Sequence, residues 1–236
     1  MIRSVFAAII FLAVTIVLSI ISIPAALFDR SGSAYLWLAR IWSKIFLLLY
    51  GVKLSVSGLE NIKKNEHYIF VANHSSYTDI PIVLAAIPFD VRLILRNTLT
   101  RIPIWGWALL ASPMIIINRS NAVLAKKTLA HAAGIIRAGA SVLLFPEGTR
   151  TLTGEIQQFK RGAFHMAYES GAEVIPIAIK GSFDFMSRTA RLPSSNKQIY
   201  VSIGTPLQVT VSIANDRERE LDLMGRSEAA LRQMLS

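Results

Sequence analysis

Two apolar stretches open the chain. Val5 to Leu27 carries no charge, and as a helix it would measure about 35 Å at about 1.5 Å per residue, long enough to cross a bilayer. A polar break, Asp29-Arg30-Ser31-Gly32-Ser33, separates it from Ala34 to Tyr50, which is again largely apolar but holds Arg40 and Lys44. Those two bases stand four residues apart and share a helical face, with Leu38, Trp42, Ile45 and Leu49 on the opposite one. A charge at the bilayer centre costs roughly 2.5–3.5 kcal/mol, so this second helix is expected at the interface with its charges snorkelling. Together the two helices predict a hairpin dipped into one leaflet, a membrane anchor over residues 1–50.

From Gly51 onward short β-branched runs alternate with helical spacing. Strands are predicted at Lys53–Ser57, Tyr68–Ala72, Val91–Leu95, Met114–Ile117, Val142–Phe145, Val174–Ile179 and Ile199–Ile203. Helices are predicted at Ile80–Ala86, Trp105–Ala111, Asn121–Ala138 and Ala163–Ser170, and the tail from Asp216 mixes acids and bases as a solvated amphipathic helix would. The alternation makes residues 51–236 one α/β domain, a sheet flanked by helices. With 236 residues, the chain has room for little more.

Composition sharpens the picture. Hydrophobic residues make up 53% and charged residues 17%, which excludes disorder and favours membrane association. A cleaved signal peptide fits poorly, because such apolar cores run about 7–15 residues and only Arg3 precedes this one. If Val5–Leu27 crosses, Arg30, Arg40, Lys44 and Lys53 outweigh Arg3 and leave the remainder on the cytoplasmic side. Cysteine is absent, so disulfides, thiolate zinc sites and thiol nucleophiles are excluded. The net charge is +10, which suits anionic lipid or polyanions. Most of it lies between Arg92 and Arg161, where ten bases face two acids, Glu147 and Glu155. Lys126, Lys127 and Arg137 read as a solvated helix face. Arg119 and Arg150 instead follow the carboxyl ends of predicted strands, where ligand sites of α/β sheets form.

Two constellations could carry chemistry. In Asn73-His74-Ser75-Ser76-Tyr77-Thr78-Asp79, His74 sits at a strand end and Asp79 at a helix start. On one regular helix the two would point about 140° apart, so a pair requires the loop to fold His74 back over the first turn. Asp79 would then fix the imidazole tautomer and leave the second ring nitrogen free to take a proton; a helix-capping Asp beside an ordinary surface His has the same spacing. In Phe145-Pro146-Glu147-Gly148-Thr149-Arg150, Gly148 permits a tight turn, Thr149 and Arg150 supply phosphate donors, and Glu147 could orient a substrate hydroxyl. Phe159-Lys160-Arg161-Gly162 adds cations before a helix N-terminus. Gly-x-Ser-x-Gly, Gly-x-x-x-x-Gly-Lys-Ser/Thr and Gly-x-Gly-x-x-Gly are all missing, and base-stacking aromatics are lacking among the basic residues, so nucleic acid is not an expected partner.

In order and spacing these motifs resemble the 1-acylglycerol-3-phosphate acyltransferases and their glycerolipid acyltransferase relatives. Their His-x-x-x-x-Asp block corresponds to His74–Asp79, their Phe-Pro-Glu-Gly-Thr-Arg block to Phe145–Arg150, and their Val-Ile-Pro-Ile block to Val174–Ile177. A further block, usually ending Asp-Arg, stands here as Ile117-Asn118-Arg119, with Asn in place of Asp. The resemblance implies transfer of a fatty acyl group from a thioester, acyl-CoA or acyl-ACP, to the free hydroxyl of lysophosphatidic acid, giving phosphatidic acid. It implies His74 and Asp79 as the catalytic pair, and Arg119, Glu147, Gly148, Thr149, Arg150 and Lys160 at the acceptor site. It implies no cofactor and no metal, and, by similarity to bacterial members, a hairpin seated on the cytoplasmic face of an inner membrane. Rival expectations are another lysophospholipid or lyso-aminolipid acceptor, a thioesterase in which His74 activates water, and a non-catalytic protein that binds anionic lipid through its bases.

Overall fold

The computed structural model describes residues 2–213 and 215–236. The two opening helices, α1 (Ile2–Phe28) and α2 (Ser33–Tyr50), run back to back. Asp29 builds the turn between them: one carboxylate oxygen accepts from the Ser31 N–H and hydroxyl at 2.9 and 2.6 Å, and the other accepts from the Ala34 N–H at 2.7 Å, starting α2. These donors, Ala34 foremost, hold the Asp29 pKa below its ordinary value. Across the hairpin the Trp42 indole donates to the Thr15 hydroxyl at 2.9 Å, and the Phe11 ring lies 5.1 Å from Trp42 and 4.8 Å from Phe46.

Next come β1 (Lys53–Ser57), β2 (Tyr68–Ala72), α3 (Asp79–Ala86), β3 (Val91–Arg96), α4 (Trp105–Ala111), β4 (Ile115–Ile117), α5 (Ala122–Arg137), β5 (Ser141–Leu144), α6 (Gly162–Ser170), β6 (Glu173–Lys180), α7 (Ser182–Phe185), β7 (Gln198–Ile203) and α8 (Asp216–Leu235). The strands form one sheet in the order β1-β7-β6-β2-β5-β3-β4. It is mixed: β2 to β6 are parallel, β7 runs antiparallel to β6, and β1 follows β7. β2 and β5 are buried at every residue, as central parallel strands covered on both faces must be.

Alternate side chains of these strands enter two cores. Tyr68, Phe70, Leu143, Ile175 and Ile177 pack with α2 and α3, whereas Ile69, Val71, Val142, Leu144 and Val174 pack with α5, α6 and α8. The result is three layers. From β2 the chain crosses through α3 on the first face to β3, and from β5 it crosses through α6 on the second face to β6. Neighbouring β2 and β5 therefore send their connections away in opposite directions, which opens a crevice at their carboxyl ends.

α2 departs from the expected interfacial lie. Tyr35, Leu36, Phe46, Leu47 and Tyr50 are buried in the first core, and the Arg40 guanidinium donates to the Phe89 carbonyl at 2.8 Å and pairs with Asp90 at 2.9 Å instead of snorkelling. Lys44 stays exposed. α1 turns Ala7, Phe11 and Ser22 inward, and shows Phe6, Ile9, Leu12, Val17, Ile20 and Leu27 to the outside. The tail helix α8 is likewise not solvated all round: Leu223 and Leu231 are fully buried against the second core.

Candidate active site

The Asn73–Asp79 loop leaves β2 at the crevice. Asn73, buried, extends the sheet with its side chain, its amide donating to the Ile179 carbonyl at 3.0 Å while its oxygen accepts the Ile179 N–H at 2.7 Å. The loop then folds back as the pairing demands. Asp79 is completely buried at the first turn of α3, and its Oδ2 accepts from the Ser75 and Ser76 N–H groups, both at 2.8 Å. The same oxygen meets His74 Nδ1 at 2.8 Å. A carboxylate already taking two amide protons takes a third here, so Nδ1 carries the hydrogen and Nε2 presents its lone pair. The His74 ring, 15% exposed, stacks on Phe145 with centroids 4.0 Å apart.

The Phe145–Arg150 segment closes over this loop from β5. Glu147 is buried and does not face outward, a correction to its expected place beside the acceptor. Its Oε1 accepts the His74 N–H at 2.7 Å, and its Oε2 accepts the Gln157 N–H at 3.0 Å. Burial pushes the Glu147 pKa up, and the N–H groups of Gln157 and His74 only partly offset this. The Thr151 N–H donates to the His74 carbonyl at 2.9 Å, so both backbone groups of His74 are held by this segment. Gly148 has a φ of 75°, which favours glycine, and a Cβ there would come within 2.9 Å of the Lys160 ammonium, so that side chain would have to move aside. Thr149 is exposed at the mouth, its carbonyl accepting from the Gln157 amide at 3.1 Å.

Cations surround the pair. Arg119 follows β4 and donates to the Gly148 carbonyl; burial first, then the charge of Arg96, lowers its pKa. Asn118 accepts the Ser120 N–H at 3.1 Å, a turn bond that an Asp oxygen would make equally. Arg150 lies over the Tyr77 ring, its guanidinium carbon 3.1 Å from the centroid, and its buried Nη1 has no hydrogen-bond partner among the described residues. Among those residues no carboxylate pairs with Arg119, Arg150 or Lys160. No group of three metal-ligating side chains occurs among them either. Below the site an apolar cavity of about 60 Å³ runs between α1, α2, α3 and α4, lined by Leu18, Trp42, Ile80, Leu84, Leu95 and Trp105 among others.

Sequence reasoning placed His74, Asp79, Arg119, Gly148, Thr149, Arg150 and Lys160 at this edge, and the structure gathers them there. It missed Asn73, Gln157 and Tyr77 as supports, and Arg96 as a neighbouring cation. Asn73 and Tyr77, inside the Asn73–Asp79 constellation, carried a signal that could have drawn attention.

A histidine–carboxylate pair with a free ring nitrogen, set among unpaired cations at the switch point of an α/β sheet, has the chemistry to accept a proton beside an anionic ligand. Residues 53–180 match the Acyltransferase family, and with more than half its length inside that match the chain belongs to that family. Among its relatives, the chloroplastic 1-acyl-sn-glycerol-3-phosphate acyltransferase of Arabidopsis thaliana is 30% identical over 195 residues, 81% of this chain and 54% of that one. The 1-acyl-sn-glycerol-3-phosphate acyltransferase of Pseudomonas aeruginosa is 34% identical over 144 residues, 61% of this chain and 52% of that one. The chain spans about half to two thirds of the length of the curated relatives it matches. Its fold is that of the 1-acyl-sn-glycerophosphate acyltransferase PlsC from Thermotoga maritima, with a TM-score of 0.79 at 22% identity, covering 99% of this chain and 96% of the other.

Proposed function

We propose that the protein transfers a fatty acyl group from a thioester, acyl-CoA or acyl-ACP, to the free hydroxyl of 1-acyl-glycerol-3-phosphate, giving phosphatidic acid. The observation that carries this reading is the 2.8 Å contact between His74 Nδ1 and Asp79 in a crevice ringed by cations without acid partners. His74 Nε2 takes the hydroxyl proton as the oxygen attacks the thioester carbonyl. The tetrahedral intermediate collapses with loss of the thiolate, which recovers the proton from the imidazolium. Asp79 stabilises that imidazolium and holds the ring. Arg150, Arg119 and Lys160 receive the acceptor phosphate, Gly148 and Thr149 shape its approach, and Glu147 acts from behind by fixing the His74 backbone. Part of an acyl chain fits the apolar cavity beneath α3.

The lipids meet the site at a membrane. α1 is long and apolar enough to cross or enter one, and only 17% of its apolar window is buried; Trp107 and Leu110 of the neighbouring α4 are also exposed and extend the surface. We place the protein on the cytoplasmic face of a bacterial inner membrane, where confining acceptor and enzyme to one interface supplies proximity. The test is a screen of purified protein with one acyl thioester and several lyso-lipid acceptors, read by mass spectrometry. Esterified product on lysophosphatidate supports the reading. Free fatty acid alone would identify a thioesterase, and no turnover with retained vesicle binding would identify a lipid-binding protein.

A further inference from the structure

The turn that follows α7 brings another cation to the same edge. Arg188 lies eight residues beyond the end of β6, the strand beside β2, so three adjacent strands, β6, β2 and β5, deliver Arg188, His74 and Arg150 respectively. The Arg188 Nη1 donates to the carbonyl of Arg150 at 2.9 Å. Its side chain is exposed and makes no ion pair among the described residues. The Arg188 guanidinium thus reaches the backbone of Arg150, and neither side chain forms an ion pair among the described residues. Glu147 is engaged by the His74 and Gln157 amides, and Asp79 by His74 and two amides through Oδ2, its buried Oδ1 having no hydrogen-bond partner among the described residues. Arg119 serves the other side of the loop, at the Gly148 carbonyl.

We propose that Arg188 and Arg150 form a two-guanidinium clamp that selects an acceptor ending in a phosphate monoester, with Arg188 the residue that discriminates it from a phosphodiester. The inference rests on the acyltransferase reading above. Two cations delivered to one edge favour most the ligand with the most opposite charge. A phosphate monoester carries about −1.5 to −2 at neutral pH, whereas a diester carries a single charge and has one oxygen covered by its headgroup. The buried, unpartnered Nη1 of Arg150 supplies one donor to the phosphate and the free nitrogens of Arg188 supply others. Burial lowers the Arg150 pKa; Tyr77 and Asp79 oppose the shift and the charge of Arg188 adds to it. Coenzyme A also bears a phosphate monoester; the acceptor is favoured because Arg150 rests on Tyr77, inside the loop that carries the base.

The experiment compares wild type with Arg188→Gln and Arg188→Lys on lysophosphatidate and on lysophosphatidylglycerol of the same chain, with acyl-CoA as donor. Gln keeps a donor for the Arg150 carbonyl and removes the charge; Lys keeps the charge. Both substitutions lie on an exposed turn, and thermal unfolding checks the fold. Arg188→Gln is expected to raise KM for lysophosphatidate about ten-fold at nearly unchanged kcat, with KM for lysophosphatidylglycerol and acyl-CoA moving less than about two-fold and with partial recovery in Arg188→Lys. A Gln variant equal to wild type shows that Arg188 merely holds the loop and overturns the proposal. An equal rise for both acceptors, or a rise for acyl-CoA instead, overturns it as well. Wild-type protein that does not acylate lysophosphatidate overturns the function proposed above and this clamp with it, and that outcome is visible before any variant is made.

Discussion

The His74 ring is oriented by a single carboxylate oxygen that three donors share. Asp79 has no exposure and spends one oxygen on three donors, so its removal unmakes both the tautomer and the loop. His74→Ala should lower kcat by about 10²–10⁴-fold with the fold retained, as loss of a general base does. Steady-state turnover beside circular dichroism checks this, and activity within a few-fold of wild type would sink the pair. Glu147 permits a different test. Its pKa is raised in the folded state, so the native protein holds that proton more tightly than the unfolded chain. The resulting stability is present below the ordinary carboxylate range and fades as pH rises through the raised pKa. The Tm advantage of wild type over Glu147→Gln is therefore expected to be larger near pH 4 than at pH 7, and a scanning series in pH reads the sign. His74 and Asp79 were legible because a pair that must face each other from a strand end and a helix start has few possible spacings. The burial of Glu147 behind His74 and the path of the turn that carries Arg188 were not legible, because neither leaves a periodic trace in sequence.

The elements themselves were easier to read. All seven strands fell within a residue or so of expectation, since central strands such as β2 and β5 are unbroken apolar runs and the outer β1 and β7 alternate apolar with polar residues. α7 was not foreseen, being only four residues long. The position of α2 was not foreseen either, because a helix apolar enough for a leaflet is also apolar enough for a core. Phe46 and Tyr50 meet Phe185 of α7 at 6.0 and 5.9 Å between centroids, so α2 supports the segment that leads to Arg188. Phe46→Ala should cost about 3–5 kcal/mol, measured by urea unfolding, and removing residues 1–50 should abolish cooperative unfolding. Paired Leu12→Ser and Ile16→Ser changes on the outward side of α1 should instead leave stability nearly unchanged while weakening vesicle binding. Equal stability loss from both kinds of change would mean that α1 is as much a core helix as α2.

Taken as one body, the protein is lopsided: α1 and α4 give one outer layer an apolar face, while the bases between Arg92 and Arg161 keep the net charge at +10. Vesicle binding should accordingly have two parts. Attachment to neutral vesicles should survive 1 M salt, and the extra affinity for anionic vesicles should vanish, because the Debye length shrinks to about 3 Å; a flotation assay across salt separates them. On the membrane reading proposed above, docking on a fluctuating bilayer would also load the hairpin mechanically, and here the double tether on the His74 backbone matters. Its N–H ends on Glu147 and its carbonyl on Thr151, so His74 and the segment after β5 are riveted at two points. Strain transmitted through α2 can shift them only as a unit, with their spacing preserved. Their amides should consequently exchange with deuterium in a single opening event, protected together and released together.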